Sequence, residues 1–266
     1  MQLSISHETQ YTYQEPVNYA LQQLRLTPKN RSGQNVVHWD IEVDGGTIEL
    51  SFDDQNNNRV SLVKSDTDAQ SISIRAFGTV ETQDKAGIIG QHGGYLPLWY
   101  FNRQTALTKP GKIINSLVRE HREFVEKPLE CLHMLSGNIL EKVAYKVGGT
   151  TADTTAEEAM QNGSGVCQDH THIFVSSARQ LGFPARYVSG YLMLNDSIEQ
   201  DASHAWAETF IPDLGWVGFD ISNGISPDGK YIPVATGLDY LETAPISGMR
   251  FGTGDESMIV NLQVQQ

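Results

Sequence analysis

The chain carries, at Gly163–Asp169 with the sequence GSGVCQD, a glycine turn that leads into a segment with apolar residues at helical spacing. This pattern predicts a helix whose first turn holds Cys167. A cysteine at that position lies near unpaired N–H groups and the positive end of the helix dipole, and both stabilise a thiolate. The same N–H groups can donate to an oxyanion that forms on an attacked carbonyl. Cys167 is therefore the candidate nucleophile.

A thiolate nucleophile needs a proton shuttle, and histidine is the usual residue in that role. In the segment 202–208, ASHAWAE, strand alternation places His204, Trp206 and Glu208 on one face. The imidazole also needs an acceptor that fixes its tautomer. Asp220 ends the strand-like segment 215–220, GWVGFD, and a short turn at 212–215 would pair this strand with the strand of His204. His204 is therefore the candidate base, and Asp220 is its candidate partner.

Working outward, residues 1–84 show short runs with strand periodicity, separated by turn formers such as those at 53–58. This spacing predicts an antiparallel, sandwich-like β domain. Helical patterns follow residue 85, one of them after Thr155, where Glu158 completes a capping box. Strands return after the Cys167 helix. We therefore expect an α+β chain with a β-rich N-terminal domain at 1–84 and a catalytic domain at 85–266.

The composition and charge of the chain favour a globular protein that does not bind nucleic acid. The 266 residues include 39% hydrophobic and 19% charged residues, as in an ordinary globular chain, and the net charge of −13 argues against nucleic acid as a partner. No run of 18 apolar residues exists, and the first residues lack a basic, apolar leader, so we expect no membrane span and a cytoplasmic location. The chain has only two cysteines, which excludes a disulfide framework. Cys131 lies in a helical apolar pattern and is expected to be a core thiol.

Four segments carry a resemblance to a known family: GVCQD at 165–169, PARYVSGY at 184–191, SHAW at 203–206 and GWVGFD at 215–220. They resemble the bacterial transglutaminase-like family of cysteine proteases, and the first 80 residues resemble the N-terminal domain that usually precedes that core. The resemblance covers most of the chain. It implies a papain-like core with a triad of Cys167, His204 and Asp220. The chain departs from the family pattern at His170 and Thr171, where an aromatic and a small residue are frequent, and this places an extra imidazole near the nucleophile.

Five further residues near these motifs are candidates for a role in or around the site, and four of them have two interpretations. Trp206 either walls the substrate cleft or packs within its sheet. Gly165 lets a substrate backbone approach closely, whereas Asp169 tunes the site or, as we favour, complements the helix dipole. Glu208 is expected to be a solvated strand carboxylate rather than a support for the site. Tyr145 is expected to pack, with an oxyanion donor as the alternative.

The sequence predicts no metal site and no cofactor. His170 and His172 form a His-x-His pair, but side chains two residues apart on a helix diverge by about 200° and do not chelate one ion readily. No loop of the EF-hand type is present to bind Ca²⁺. A thiolate–imidazole pair needs no cofactor.

The predicted reaction is acyl transfer at an amide of a peptide or protein, through a thioester on Cys167. Either water or an amine resolves the thioester, and the triad is common to both outcomes. We expect hydrolysis, by a cysteine protease or amidase, because no sequence feature specifies an amine site. A protein-glutamine gamma-glutamyltransferase is the alternative. A non-catalytic binding module is a further alternative, although such a module would be expected to lose one of the three residues. The sequence does not predict the oligomeric state.

Overall fold

The structure is a computed structural model that describes residues 1–195, 197–200, 202–251 and 255–266. Residues 1–84 contain the strands Gln2–Val17 (β1), Tyr19–Thr27 (β2), Gln34–Asp44 (β3), Gly46–Asp53 (β4), Arg59–Ser65 (β5) and Ala69–Thr82 (β6). Later strands are Ile88–Gly90 (β7), Ala144–Tyr145 (β8), Ser164–Gly165 (β9), Ala185–Leu192 (β10), Glu199–Gln200 (β11), His204–Ile211 (β12), Gly215–Phe219 (β13), Tyr231–Gly237 (β14), Ile246–Phe251 (β15) and Glu256–Gln265 (β16).

The helices lie between these later strands. The α-helices are Lys112–His121 (α1), Pro128–Lys142 (α2), Ala156–Asn162 (α3), Cys167–Gln180 (α4) and Tyr240–Thr243 (α5). Two 3₁₀ helices are found at Leu98–Asn102 and Arg122–Phe124. The predicted start of α3 is confirmed, because Thr155 and Glu158 form a capping box there. None of the helices in the described ranges combines the length and apolar composition that a membrane crossing requires.

The N-terminal strands form two packed antiparallel sheets. One has the order β11-β16-β1-β6-β3 and the other the order β15-β2-β5-β4. Residues along β1 alternate between buried and exposed, as expected for a strand with one face against a core. The core between the sheets contains Tyr11, Leu24, Val63 and Ile74. The predicted sandwich-like architecture is confirmed.

The last two strands join the N-terminal sheets. β15 pairs with β2, and β16 pairs with β1 from Ser4↔Gln265 to Tyr13↔Glu256. The division predicted at residue 85 assigned β15 and β16 to the catalytic domain, whereas the structure places both strands in the sheets of the N-terminal sandwich. The alternation of β16 predicts a strand, but its partner is set by which sheet edge is free. The two ends of the chain are thereby held in one sandwich.

The second half is built around the antiparallel sheet β14-β10-β12-β13-β7, with α4 packed against it. Phe174 of α4 packs with Ala207 and Val217 of the sheet, and almost every residue of α4 is buried. This sheet contacts the sandwich through a further apolar cluster that includes Leu3, Tyr191 and Val264. The predicted α+β class is confirmed.

Candidate active site

Three elements of the second half bring the predicted catalytic residues together. Cys167 is the first residue of α4, His204 is the first residue of β12, and Asp220 directly follows β13. The predicted turn at 212–215 joins β12 to β13 as antiparallel neighbours. His204 Nε2 lies 2.6 Å from Asp220 Oδ2, and His204 and Cys167 lie together in the wall of one cleft. Because Nε2 is bonded to Asp220, Nδ1 is the ring nitrogen that remains to exchange a proton with Cys167.

Asp220 is a buried carboxylate with several donors. Its Oδ2 accepts from His204, from the Tyr231 hydroxyl at 2.7 Å and from Asn223 Nδ2 at 2.7 Å, and the Asn223 N–H lies 3.2 Å from Oδ1. Burial acts to raise the pKa of Asp220, but the hydrogen bond and charge of His204 and the other two donors outweigh it and lower that pKa. Asp220 is thus held as a carboxylate.

His204 is held as an imidazolium by its partners. Burial acts to lower its pKa, but the hydrogen bond to Asp220, the nearby Cys167 side chain and the charges on both residues outweigh burial and raise the pKa to about 10. Its ring stacks on Trp206, with centroids 6.1 Å apart and an interplanar angle of 28°. Trp206 in turn meets Tyr231 edge to face at 5.3 Å. Stacking on Trp206 therefore fixes the orientation of the imidazole plane, and the bond to Asp220 fixes the rotation of the ring within that plane.

Trp206 is only 1% exposed and lies behind His204, outside the walls of the cleft that Cys167 lines. Its position agrees with the alternative of packing within the sheet and contradicts a direct contact with substrate. The reason lies in the packing: Trp206 belongs to a buried cluster with Val188, Leu192 and Tyr231.

Gly165 and Asp169 do not line this cleft. Asp169 is 1% exposed, and its Oδ2 accepts from the Val166 N–H and the Thr150 hydroxyl, both at 2.7 Å. A Cβ on Gly165 would lie 2.6 Å from the Asp169 side chain. The absence of a side chain at Gly165 leaves room for the Asp169 carboxylate, which bonds the Val166 N–H just before α4. These contacts agree with the interpretation that Asp169 stabilises the start of the helix.

The cleft beside Cys167 is open and has a volume of about 560 Å³. Both Cys167 and His204 lie in its wall. Most of the remaining wall is apolar or aromatic, with polar groups at intervals: Tyr145, Val147, Val166, Gln168, Tyr187, Ser189, Leu192, Leu194, Glu199, Gln200, Ala202, Ser203, Ala205, Ser222, Asn223 and Tyr240. A concave surface of this size and composition is typical of a ligand site.

Tyr145 lies in this cleft wall and is 54% exposed, so the expectation that it packs in the core is wrong. Partial burial raises the pKa of its hydroxyl, and the charges of Cys167 and Asp220 raise it further. Tyr145 therefore keeps its proton through the neutral range and presents a hydrogen-bond donor to the cleft.

The two histidines that follow Asp169 on α4 contact different neighbours. Burial lowers the pKa of His170, so its Nε2–H donates to the Val143 carbonyl at 2.9 Å and its Nδ1 accepts from Ser222 at 2.8 Å. Burial and the charge of Arg179 lower the pKa of His172 to about 3, and its Nε2 accepts the Tyr240 N–H at 3.2 Å. No group of three His, Cys, Asp or Glu side chains placed to hold a metal occurs in the described ranges.

Glu208 is buried, which corrects the expectation of a solvated strand carboxylate. It is 1% exposed and bridges Arg31 at 2.6 Å and Arg186 at 2.6 Å. Burial acts to raise its pKa, but the two guanidinium groups outweigh burial and lower it. Because Arg31 follows β2 and Arg186 lies in β10, Glu208 joins the sandwich to the second half.

Sequence reasoning missed several residues of the site. Tyr231 and Asn223 hold Asp220, while Tyr187, Ser222 and Tyr240 line the cleft. Asn223 carried a local signal, since an asparagine three residues after a strand-ending aspartate is suited to bond it across a turn. Tyr231 carried none, because it reaches Asp220 only through the pairing of β14 with β10.

Comparisons with known proteins identify relatives of both halves of the chain. The profile of the transglutaminase-like superfamily matches residues 115–221, and that of the bacterial transglutaminase-like N-terminal region matches residues 3–81. A Mycobacterium tuberculosis (H37Rv) protein, described as uncharacterized, is 28% identical over 287 residues, which span 98% of this chain and 90% of that protein. A Pseudomonas aeruginosa protein-glutamine gamma-glutamyltransferase is 31% identical over 124 residues, which span 42% of this chain and 19% of that protein.

A solved structure shares the fold over the whole length. The crystal structure of a candidate cysteine protease from Cytophaga hutchinsonii has a TM-score of 0.78 at 20% sequence identity, and the match spans all of this chain and 90% of that one. At this level of identity the likeness concerns the fold. The two profiles, which match in order along the sequence, assign residues 115–221 to the transglutaminase-like superfamily and residues 3–81 to the bacterial N-terminal region of that group.

Proposed function

We propose that this protein is an enzyme that transfers the acyl group of a peptide or protein amide through a thioester on Cys167. One observation carries the proposal: His204 bonds Asp220 at 2.6 Å and lies with Cys167 in the wall of an open cleft. This is the arrangement of nucleophile, base and orienting group that nucleophilic catalysis requires. Membership of a superfamily that includes cysteine proteases and transglutaminases supports it.

In the first half of the reaction, with the Cys167 proton already on His204 Nδ1, Cys167 Sγ attacks the amide carbonyl. The carbonyl oxygen becomes an oxyanion beside the start of α4, where N–H groups lack partners within the helix. The carbonyl then re-forms, the C–N bond breaks, and His204 gives its proton to the departing nitrogen. An amine leaves, and the acyl group stays on Cys167 as a thioester.

In the second half, we propose that water resolves the thioester. His204 takes a proton from the water, the oxygen attacks the thioester carbonyl, and the C–S bond breaks to release an acid and restore Cys167 beside a protonated His204. The openness of the cleft favours this acceptor, since Tyr145 and Val147 in its wall are 54% and 77% exposed and leave a path for solvent.

Transamidation is the second candidate. The identity of 31% to the gamma-glutamyltransferase from Pseudomonas aeruginosa favours it over the matched segment. The Glu199 carboxylate in the cleft wall would also attract a protonated primary amine, such as a lysine side chain. In this version the amine first gives one proton to water, and its neutral nitrogen then attacks the thioester carbonyl. His204 accepts a proton from that nitrogen, and the C–S bond breaks to release the new amide and free Cys167.

The test offers glutamine-derived and peptide amides to the wild type, with and without a primary amine, and identifies the products by mass spectrometry. Cys167→Ala should abolish the reaction, whereas Cys131→Ala, at a buried core thiol, should retain it. Products that contain water regardless of the amine support hydrolysis, and incorporated amine identifies a transferase. Turnover that survives in Cys167→Ala would contradict the proposal, and a folded protein whose Cys167 resists thiol reagents would indicate a binding module.

A further inference from the structure

A second, smaller pocket adjoins the cleft, between the sandwich and the loop that leads to His204. It has a volume of about 190 Å³ and shares three wall residues with the cleft, Ala202, Ser203 and Tyr240. Its other walls come from β1, β16 and the start of β15, at positions that include Tyr11, Ile246, Met258 and Val260. The sandwich therefore contributes directly to the surroundings of the candidate active site.

The size of the pocket suits one side chain. Whole small-molecule ligands occupy sites of about 300–1,000 Å³, which is larger than this pocket. A dry apolar cavity of about 150 Å³ holds a benzene molecule, so about 190 Å³ accommodates a leucine or phenylalanine side chain.

The titratable groups in the pocket wall are uncharged at neutral pH. Burial lowers the pKa of His7 to about 4, and its ring nitrogens are paired with the hydroxyls of Tyr191 at 3.0 Å and Thr9 at 3.3 Å. Burial also raises the pKa of Tyr11 and Tyr240, so both keep their protons. A charged side chain placed there would lose its hydration and meet no opposite charge from these groups.

We infer that this pocket is a specificity subsite, built by the N-terminal sandwich, that receives a large uncharged apolar side chain next to the amide that Cys167 attacks. The inference rests on the proposed function, because the occupant is a substrate side chain. Ser203 directly precedes His204, so a substrate held at the catalytic residues can reach both spaces across one shared wall. The sandwich thereby selects substrates.

The experiment measures the rate at which Cys167 is alkylated, by intact mass, with iodoacetamide and with its N-isobutyl, N-benzyl and N-carboxymethyl derivatives. Val260→Trp fills the pocket, and Met258→Trp does so from a more exposed position on the same face of β16. Ile259→Trp is the matched control, because Ile259 lies between them on the opposite face and is 58% exposed. All variants are checked for thermal unfolding before use.

The isobutyl and benzyl reagents should label wild type and Ile259→Trp about ten-fold faster than iodoacetamide, as burial of such a group predicts. The carboxymethyl reagent should gain nothing, and either pocket-filling variant should lose the preference. Equal rates for all reagents, or a preference that persists in both filled variants, would overturn the inference while turnover of amides still supported the proposed function. A preference in a protein that turns over no amide would support the pocket and count against acyl transfer.

Discussion

Two buried carboxylates lie on paired strands, Glu208 in β12 and Asp220 directly after β13, and their partners give them different roles. Asp220 is bonded by His204, Tyr231 and Asn223 and lies behind an imidazole at the cleft. Glu208 is bonded by Arg31 and Arg186. Both pKa values are lowered against the effect of burial. Burial and ionisation of a carboxylate are thus not sufficient evidence of a catalytic role.

The difference lies in whether the partner can exchange a proton. A guanidinium stays charged at any physiological pH, so the Glu208 cluster is a fixed link between the sandwich and the second half. An imidazole gains and loses a proton, so Asp220 controls a group that can act on a substrate. Substitutions at the two carboxylates should therefore separate activity from stability.

The largest expected effect is that of Asp220→Asn on activity. The amide can donate to His204 and hold the wrong tautomer, and in a triad this substitution reduces kcat on the order of 10⁴-fold. The measurement is kcat on whichever amide the wild type turns over, corrected for folded fraction. A kcat within a few-fold of wild type would place Asp220 outside the catalytic machinery.

The pH dependence of kcat/KM tests whether Asp220 controls the protonation of His204. With the His204 pKa raised to about 10, the imidazolium persists through the neutral range and is lost as pH rises through about 10. The alkaline limb of kcat/KM should fall in that range. Asp220→Asn removes a cause of the raised pKa, so the limb should move to lower pH. An unmoved limb in the variant would mean that Asp220 does not control the charge of His204.

Glu208→Ala should act on stability instead. Removal of one partner leaves two guanidinium groups without their counter-charge, and breaking a buried pair costs about 3–5 kcal/mol of unfolding free energy. Glu42→Ala is the control, since the Arg75–Glu42 pair is exposed and such pairs contribute about 0–1 kcal/mol. Denaturant unfolding gives both values, and kcat per folded molecule should stay near that of wild type.

Acid pH tests the Glu208 cluster in a second way. Its folded-state pKa is lowered from the ordinary value of 4.5, so the stability it contributes is present above pH 4.5 and is lost as pH falls through the lowered pKa. Unfolding free energy should therefore decline less steeply with acid in Glu208→Gln than in the wild type. Parallel declines would show that the carboxylate gains no net stabilisation from its arginines.

Tyr231→Phe should have the smallest effect. It removes one of three donors to Asp220 Oδ2 and leaves the ring packed on Trp206. A hydrogen bond to a charged group contributes about 1.5–3 kcal/mol, so stability should fall by no more than this. The pKa of Asp220 should rise, because a donor that lowers it is lost. Thermal unfolding and a pH–rate profile measure the two effects.

The sequence was sufficient to predict the residues whose chemistry is local. Cys167 at a helix start, His204 and Asp220 on paired strands, and the Thr155 cap all follow from short-range spacing. The arginine partners of Glu208 and the hydrogen bond from Tyr231 to Asp220 were not predictable, because each depends on segments that are distant in sequence and adjacent in the fold. The place of β16 in the sandwich was missed for the same reason, since alternation predicts a strand without naming its neighbour.

The most direct test of the account is to trap the acyl group. A turned-over amide is mixed with the wild type, quenched in acid within the first turnover, and the intact mass and the modified peptide are determined. The account predicts an added acyl mass on Cys167, labile to hydroxylamine as a thioester is, and absent in Cys167→Ala. Turnover that continues without any acyl mass on Cys167, or with the mass on another residue, would contradict it.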